Sequence, residues 1–250
     1  MSEGVHEGRV AVVTCGANGI GREIALRLAE GGADVAVLDV ADAEDVVAKL
    51  DERGRRALAV SCDVTDEAFV AQAATRVTDE LGSADILVNN VGIYPYDEFA
   101  EIDLARWRRV MAVNLDSVFI VSSAFAPAMR ARGWGRIVNM ASNTFHGGNY
   151  PSYVHYIASK GGVVGFTRGL ASALGPEGVT VNAIAPGLTL TDTMIASRPP
   201  ELFEKVVATQ SIARSQVPAD VAGAVSFLAS DAAGFITGQT LPVDGGVARA

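Results

Sequence analysis

Short aliphatic runs recur along the chain at 9–14, 33–39, 56–62, 84–90, 135–141, 179–185 and 238–243. Between them, apolar residues return every three or four positions. Runs apolar on both faces predict parallel strands buried on both sides, and the intervening period predicts amphipathic helices. Their alternation predicts an α/β architecture of Rossmann type, a doubly wound seven-stranded parallel sheet with helices on both faces, forming a single domain over 1–250. Glycines punctuate the helix ends, Gly31-Gly32 after the first, Gly54 after the second and Gly82 after the third, where a left-handed residue commonly closes a helix. The pattern fades only over 188–216, where Pro199-Pro200 interrupts two weak helical repeats. That stretch is the expected place for a mobile lid over substrate.

Composition narrows the class. With 49% hydrophobic and 20% charged residues the chain is neither disordered nor a small stapled scaffold. Acidic residues outnumber basic ones, 29 against 20, and no basic stripe is present, which argues against a nucleic-acid partner. The apolar runs are short and broken by charge, and Met1 to Gly8 is polar, so the expectation is a cytoplasmic protein with no membrane association. Cys15 and Cys62 fall near the ends of the first and third strands, two strand spacings of ~9.6 Å in total, too far for a disulfide. They are expected as free thiols.

In a sheet of this kind ligands bind beyond the carboxyl ends of the strands. There the chain places Thr14-Cys15-Gly16, Asp39, Asp63, Asn89-Asn90-Val91-Gly92, Ser142 and Pro186-Gly187. Gly16-Ala17-Asn18-Gly19-Ile20-Gly21, between a strand and a helix, suits a pyrophosphate, because helix-start amides lack partners and carry partial positive charge. Its G-x-x-G-x-G order departs from the dinucleotide fingerprint G-x-G-x-x-G. Asp39 ends the second strand about 20 residues after the loop, where a carboxylate accepts from an adenosine ribose and repels a 2'-phosphate. Neither Asn18 nor Val40 offers a basic alternative, so NAD is the expected cofactor. Asp39 read alone would also suit a simple turn.

Tyr156 and Lys160, four residues apart, share a helix face if 152–174 is helical. A cation there would stabilise the phenolate of a side chain that ordinarily titrates near pH ~10, making it an acid/base catalyst. The same spacing also fits an ordinary surface pair. Tyr153 shares roughly that face but lies two turns, ~10.5 Å, from Lys160, too far for strong tuning, and is expected to line the site. His146 and His155 read as solvated or substrate-side residues.

Taken in order, the glycine loop, Asp39, Asn89-Asn90-Val91-Gly92, Ser142, Tyr156-x-x-x-Lys160 and Pro186-Gly187 resemble the short-chain dehydrogenase/reductase family from about Arg9 to Val247. The resemblance implies an NAD-dependent oxidoreductase passing hydride between the nicotinamide and a secondary alcohol or ketone. It implies Tyr156 as acid/base, Lys160 as its tuner and ribose ligand, Ser142 as the holder of the substrate oxygen, and Asn114 as the holder of a water linking the lysine to solvent. It assigns Gly16, Asn18, Gly19 and Ile20 to the pyrophosphate, Asp63 and Val64 to the adenine, Asn90 and Gly92 to the adenosine side, and Pro186, Gly187, Thr189 and Thr191 to the nicotinamide. No metal is required, and a homotetramer built on helices near 103–132 and 153–175 is expected. One departure stands out, since the family usually has glycine where this chain has Cys15.

Around the substrate the chain carries Tyr94, Tyr96, Asn143, Thr144, Phe145 and Tyr153. Aromatic walls suit a flat ring, though the same residues could simply pack loop bases. The segments GIYPYDEF, ASNTF and ITGQTLPVDGG resemble aryl secondary-alcohol dehydrogenases such as 1-phenylethanol dehydrogenase, and ASNTF with SKGGVVGFTR resembles pyridoxal 4-dehydrogenase. Two alternatives stay open: a 3-oxoacyl-carrier-protein reductase of the same fold, whose usual NADPH Asp39 disfavours, and a non-catalytic dinucleotide-binding regulator. A serine hydrolase would need a G-x-S-x-G elbow, which the chain lacks.

Overall fold

A computed structural model describes residues 4–146 and 150–248. Seven strands, β1 (Val10–Thr14), β2 (Asp34–Asp39), β3 (Ala57–Ser61), β4 (Ile86–Asn89), β5 (Gly135–Met140), β6 (Val179–Pro186) and β7 (Thr240–Val243), form one sheet in the order β3-β2-β1-β4-β5-β6-β7. Every pairing is parallel. Every residue of β1, β4 and β5 is buried, as strands covered on both faces require.

Alternate strand residues serve two cores. Ala11, Val13, Val35, Val37, Ile86 and Val88 point to one face, against α1 (Gly19–Glu30), α2 (Glu44–Asp51) and α9 (Pro218–Leu228). Val10, Val12, Ala36, Leu38 and Leu87 point to the other, against α3 (Glu67–Glu80), α5 (Ser117–Arg132) and α6 (Val154–Leu174). This is the period-2 consequence of the pleat. Gly32, Gly54 and Gly82 have positive φ after the first three helices, as their positions predict.

The expected helix at 103–132 is not uniform. α4 (Leu104–Met111) passes into α5 through a π-helical turn, Ala112–Asp116, that contains Asn114. An inserted residue of this kind bulges the helix and frequently marks functional positions. By length and composition alone Leu104–Arg132 could cross a membrane, but its inner face, with Val118, Val121, Phe125 and Met129, belongs to the protein's own core. The stretch 188–216 resolves into α7 (Asp192–Ser197) and α8 (Pro200–Val207) with Pro199 between them.

The amino-terminal segment is tied down. His6 is 1% exposed, and its Nε2 lies 2.9 Å from Ser226 Oγ on α9. Burial lowers its pKa to about 4, so it is neutral near pH 7.

Candidate active site

The switch in strand order falls at β1, between β2 and β4, and the expected cofactor residues gather at that crevice. Asn90 bridges it. Its backbone N–H donates to Thr14 Oγ1 at 2.9 Å, and its side-chain amide donates to the Thr14 and Cys15 carbonyls at 3.2 and 3.1 Å. Gly21 shows why the loop needs glycine: a Cβ there would stand 2.1 Å from the Cys15 carbonyl oxygen.

The start of α1 fits an anion. Asn18 makes no side-chain capping bond, and no acidic residue occupies the first turn, so the amides of Gly19, Ile20 and Gly21 are not claimed by a cap. Thr191, the N-cap of α7, has its methyl carbon 3.3 Å from the position a Cβ on Gly19 would take. Thr191 therefore lies directly over the glycine loop. Pro186 ends β6, Gly187 follows, and Thr189 Oγ1 donates back to the Gly187 carbonyl at 3.2 Å.

Asp39 is 7% exposed and accepts from the backbone N–H groups of Ala17 and Ala41, each at 3.0 Å. Its carboxylate is thus clamped between loop and strand end, while Val40 beside it is 74% exposed. Asp63 Oδ1 accepts from both the N–H and the hydroxyl of Thr65, and its carboxyl titrates below the usual range for that reason. Val64 is buried beside it.

Cys15 adopts φ 52, the one positive φ outside glycine among the described residues. Burial, and then the neighbouring Asp39, raise its thiol to about 11, so it stays protonated at neutral pH. Cys15 and Cys62 are both free, as expected.

At the end of β5 the catalytic candidates converge. Ser142 is buried, and its hydroxyl lies near enough to the Tyr156 phenol, half-buried on the first turn of α6, to lower its pKa. Thr144 backs Ser142 through its own hydroxyl at 3.0 Å. Burial pushes the phenol up to about 12, with the Ser142 hydroxyl pulling the other way. Tyr156 and Lys160 share one face of α6, as their spacing predicts. Lys160 Nζ stands over the Tyr156 ring, 6.0 Å from its centroid, and donates to the Met140 carbonyl at 2.8 Å. Buried away from water, the ammonium is itself lowered to about 8. It faces Gly92, where a Cβ would sit 3.1 Å from Nζ and 3.6 Å from Asn114 Oδ1, so only glycine lets the three approach.

Asn114 is completely buried, and its amide is spent on other partners: Oδ1 accepts from Ile93 N–H at 2.8 Å, and Nδ2 donates to the Ile93 carbonyl and to Ser159 Oγ. Its side chain fixes the β4–α4 loop to α6. Beneath lies a buried ladder in which Asn89 Nδ2 donates to Asn139 Oδ1 and Asn139 Nδ2 to Thr167 Oγ1, locking β4, β5 and α6 together.

His155 also departs from expectation. It is fully buried, with Nε2 3.0 Å from Asp97 Oδ2 and Nδ1 accepting the Tyr156 backbone N–H at 2.9 Å. The second bond makes Nε2 the protonated nitrogen. Asp97 N–H donates to the Ser152 carbonyl and Ser152 Oγ to Glu98, so the β4–α4 loop is stitched to the start of α6. Neither Asp97 nor Glu98 stands out by periodicity. Their only sequence signal is a pair of acids shortly after the aromatic run. His146 is exposed, its ring 4.1 Å from that of Phe145.

Of the substrate candidates, Tyr153 meets Tyr156 with ring centroids 5.8 Å apart and Tyr96 at 5.5 Å, edge to face. Tyr94 is half-buried, with its phenol raised by burial. Asn143 Nδ2 donates to Asp244 Oδ2 at 3.2 Å, and Phe145 packs against the small core cluster of Val118, Ala141 and Val163.

A profile of the family described as Enoyl-(Acyl carrier protein) reductase matches residues 16–248. The chain belongs to the short-chain dehydrogenase/reductase family. A cis-4-hydroxycyclohexanecarboxylate dehydrogenase of Sinomonas cyclohexanicum is 44% identical over 248 residues, 98% of each chain. A 7 alpha-hydroxysteroid dehydrogenase solved with NADH and 7-oxo glycochenodeoxycholic acid superposes with a TM-score of 0.94 at 36% identity, covering 100% of this chain and 98% of that one. A proposed NAD(P)-dependent gluconate 5-dehydrogenase of Beutenbergia cavernae, solved with NADP at low occupancy, superposes with a TM-score of 0.90 at 40% identity, covering 96% and 97%. This short-chain dehydrogenase/reductase is an oxidoreductase of alcohols and ketones and binds a nicotinamide dinucleotide.

Proposed function

We propose that this chain is an NAD-dependent dehydrogenase of ring-bearing secondary alcohols and their ketones, with Tyr156 as its acid/base. The observation that carries the reading is the Ser142 hydroxyl set near the Tyr156 phenol beneath the rings of Tyr153 and Tyr96. The relative from Sinomonas cyclohexanicum is named for a cyclic alcohol, which supports a ring as the substrate body.

The cofactor residues fit NAD. The uncapped start of α1 suits a pyrophosphate, and the clamped Asp39 leaves no welcome for a 2'-phosphate. Gly16, Asn18, Gly19 and Ile20 would hold the pyrophosphate, Asp39 the ribose, Asp63 and Val64 the adenine, and Asn90 and Gly92 the adenosine side. Lys160, Pro186, Gly187, Thr189 and Thr191 would hold the nicotinamide riboside. Bound there, a nicotinamide supplies or accepts hydride at the carbinol carbon.

The chain's own residues do the proton work. Ser142 orients the substrate oxygen toward the phenol, and Tyr156 Oη gives its proton to a ketone oxygen or takes one from an alcohol. Tyr153 and Tyr96 exclude water from one side. Free thiols and a net charge of -9 suit a reducing, cytoplasmic setting.

Absorbance at 340 nm, followed over a panel of cyclic and aryl alcohols with NAD and NADP separately, tests the reading. Activity confined to NADP would sink the cofactor half, and full turnover by Tyr156→Phe would sink the mechanism. The pH profile adds a sign. A phenol held above its ordinary pKa is a scarce base near neutrality, so kcat/KM for alcohol oxidation should climb from about pH 7 toward about pH 10, while ketone reduction should not. An oxidation profile flat over that range would contradict the assignment of Tyr156 as the base.

A further inference from the structure

Arg198 stands between α7 and α8, just before Pro199. Its Nη2 donates to Tyr153 Oη at 2.9 Å, and its guanidinium carbon lies 5.6 Å from the Tyr96 ring centroid. Tyr153 is the ring that meets Tyr156 on its other side. Tyr94 faces the same cation and feels its charge. Arg198 therefore sits one aromatic ring away from the acid/base.

Among the described residues no Asp or Glu pairs with Arg198. Arg22, Arg108, Arg109 and Arg168 also lack acidic partners among the described residues; the last three are exposed, where water satisfies them, and Arg22 is half-buried on α1 beside the glycine loop. Arg198 is half-buried against aromatic rings instead. A guanidinium is a planar fork of donors that matches a carboxylate in a bidentate pair, and here only one of its nitrogens is used, on a phenol oxygen. The Tyr153 hydroxyl that receives this bond still has its own proton to give. Together they offer convergent donors to an anion, in a molecule whose net charge of -9 would otherwise repel one.

We propose that Arg198 and Tyr153 form a carboxylate-binding subsite, and that the substrates are cyclic secondary alcohols or ketones carrying a carboxylate across the ring from the reacting carbon. This rests on the reading of Tyr156 as acid/base and of a ring as the substrate body. The tyrosine rings flank the substrate ring, the carbinol oxygen faces Ser142 and Tyr156, and the carboxylate faces the lid. Arg198 is then a specificity residue, contributed by the segment between α7 and α8 that the sequence pattern marks as a lid.

The test compares 4-oxocyclohexanecarboxylate with its methyl ester and with 4-methylcyclohexanone, using NADH as reductant. Wild type should favour the acid by about 100-fold in kcat/KM, the scale of a charge-assisted pair in a partly dry site. In Arg198→Gln that ratio should collapse toward about one, mostly through KM, and Arg198→Lys, which keeps the charge but not the fork, should recover part of it. An acid-to-ketone ratio unchanged in Arg198→Gln overturns the subsite, as does a wild-type preference for the neutral compounds. If wild type reduces none of the three, the ring-substrate reading fails by itself, and binding decides the subsite. Cyclohexanecarboxylate should then perturb NADH fluorescence in the wild-type binary complex and not in that of Arg198→Gln; equal response in both, or none in either, overturns it.

Discussion

Cys15 puts a side chain where the backbone turns left-handed. A residue with a Cβ in that region costs about 1–2 kcal/mol relative to glycine, and glycine returns about 0.5–1 kcal/mol of that as unfolded-chain entropy. Cys15→Gly should therefore raise the thermal midpoint by about 1–3 °C in a domain of this size, and tighten NADH, because the thiol borders Asp39 where the ribose is proposed to sit. A lower midpoint would contradict the strain argument, and an unchanged dissociation constant would confine the effect to folding. At this scale much of the site was legible. Ser142, Tyr156, Asp39 and the glycine loop stand at strand ends and helix starts, which hydrophobic periodicity locates. Lys160 was legible on the helix face of Tyr156, but its hydrogen bond was not, because the acceptor is the Met140 carbonyl on β5, and no side-chain pattern records a backbone acceptor. Arg198 left no signal either, since its meaning comes from meeting Tyr153, 45 residues earlier in the chain.

The start of α6 is held by what lies across from it. Asp97, in the loop after β4, fixes His155, and His155 fixes the Tyr156 amide. Arg106 on α4 holds Asp97 from behind at 3.1 Å. Removing the carboxylate in Asp97→Ala would strand a buried imidazole N–H, at a cost of about 1–3 kcal/mol, and loosen the turn that aims the phenol. The expectation is a kcat about tenfold lower, with the NADH dissociation constant unchanged, since misplaced reacting groups cost rate more than cofactor binding. Lost thermal stability with an intact kcat would reduce Asp97 to a staple. Strands and helix ends followed from pattern because each is a local bargain between burial and backbone geometry. The π turn at Ala112–Asp116 did not, because an inserted residue leaves the apolar repeat on either side intact.

Across the molecule, the outer faces of α5 and α6 leave apolar surface uncovered. Phe119 is 56% exposed, its ring 6.5 Å from that of Phe166, and Leu115, Ile120 and Gly162 line the same shallow depression. This face is where the proposed homotetramer would join, with charged residues such as Glu67 and Asp116 at its margin. Light scattering should give about four times the mass of one chain for wild type, and less for Phe119→Glu, because a charge placed in a dry contact is expensive. A monomeric wild type would reject the assembly. The proposed catalytic and cofactor groups all lie at the carboxyl rim of the sheet, so the amino rim is left free of chemistry. Gly54, in the exposed turn between α2 and β3 on that rim, has no atom within 4 Å of where a side chain would begin. That turn is the natural attachment point for a surface tether or a spliced peptide, which would hold the enzyme from behind and leave its mouth open to solution.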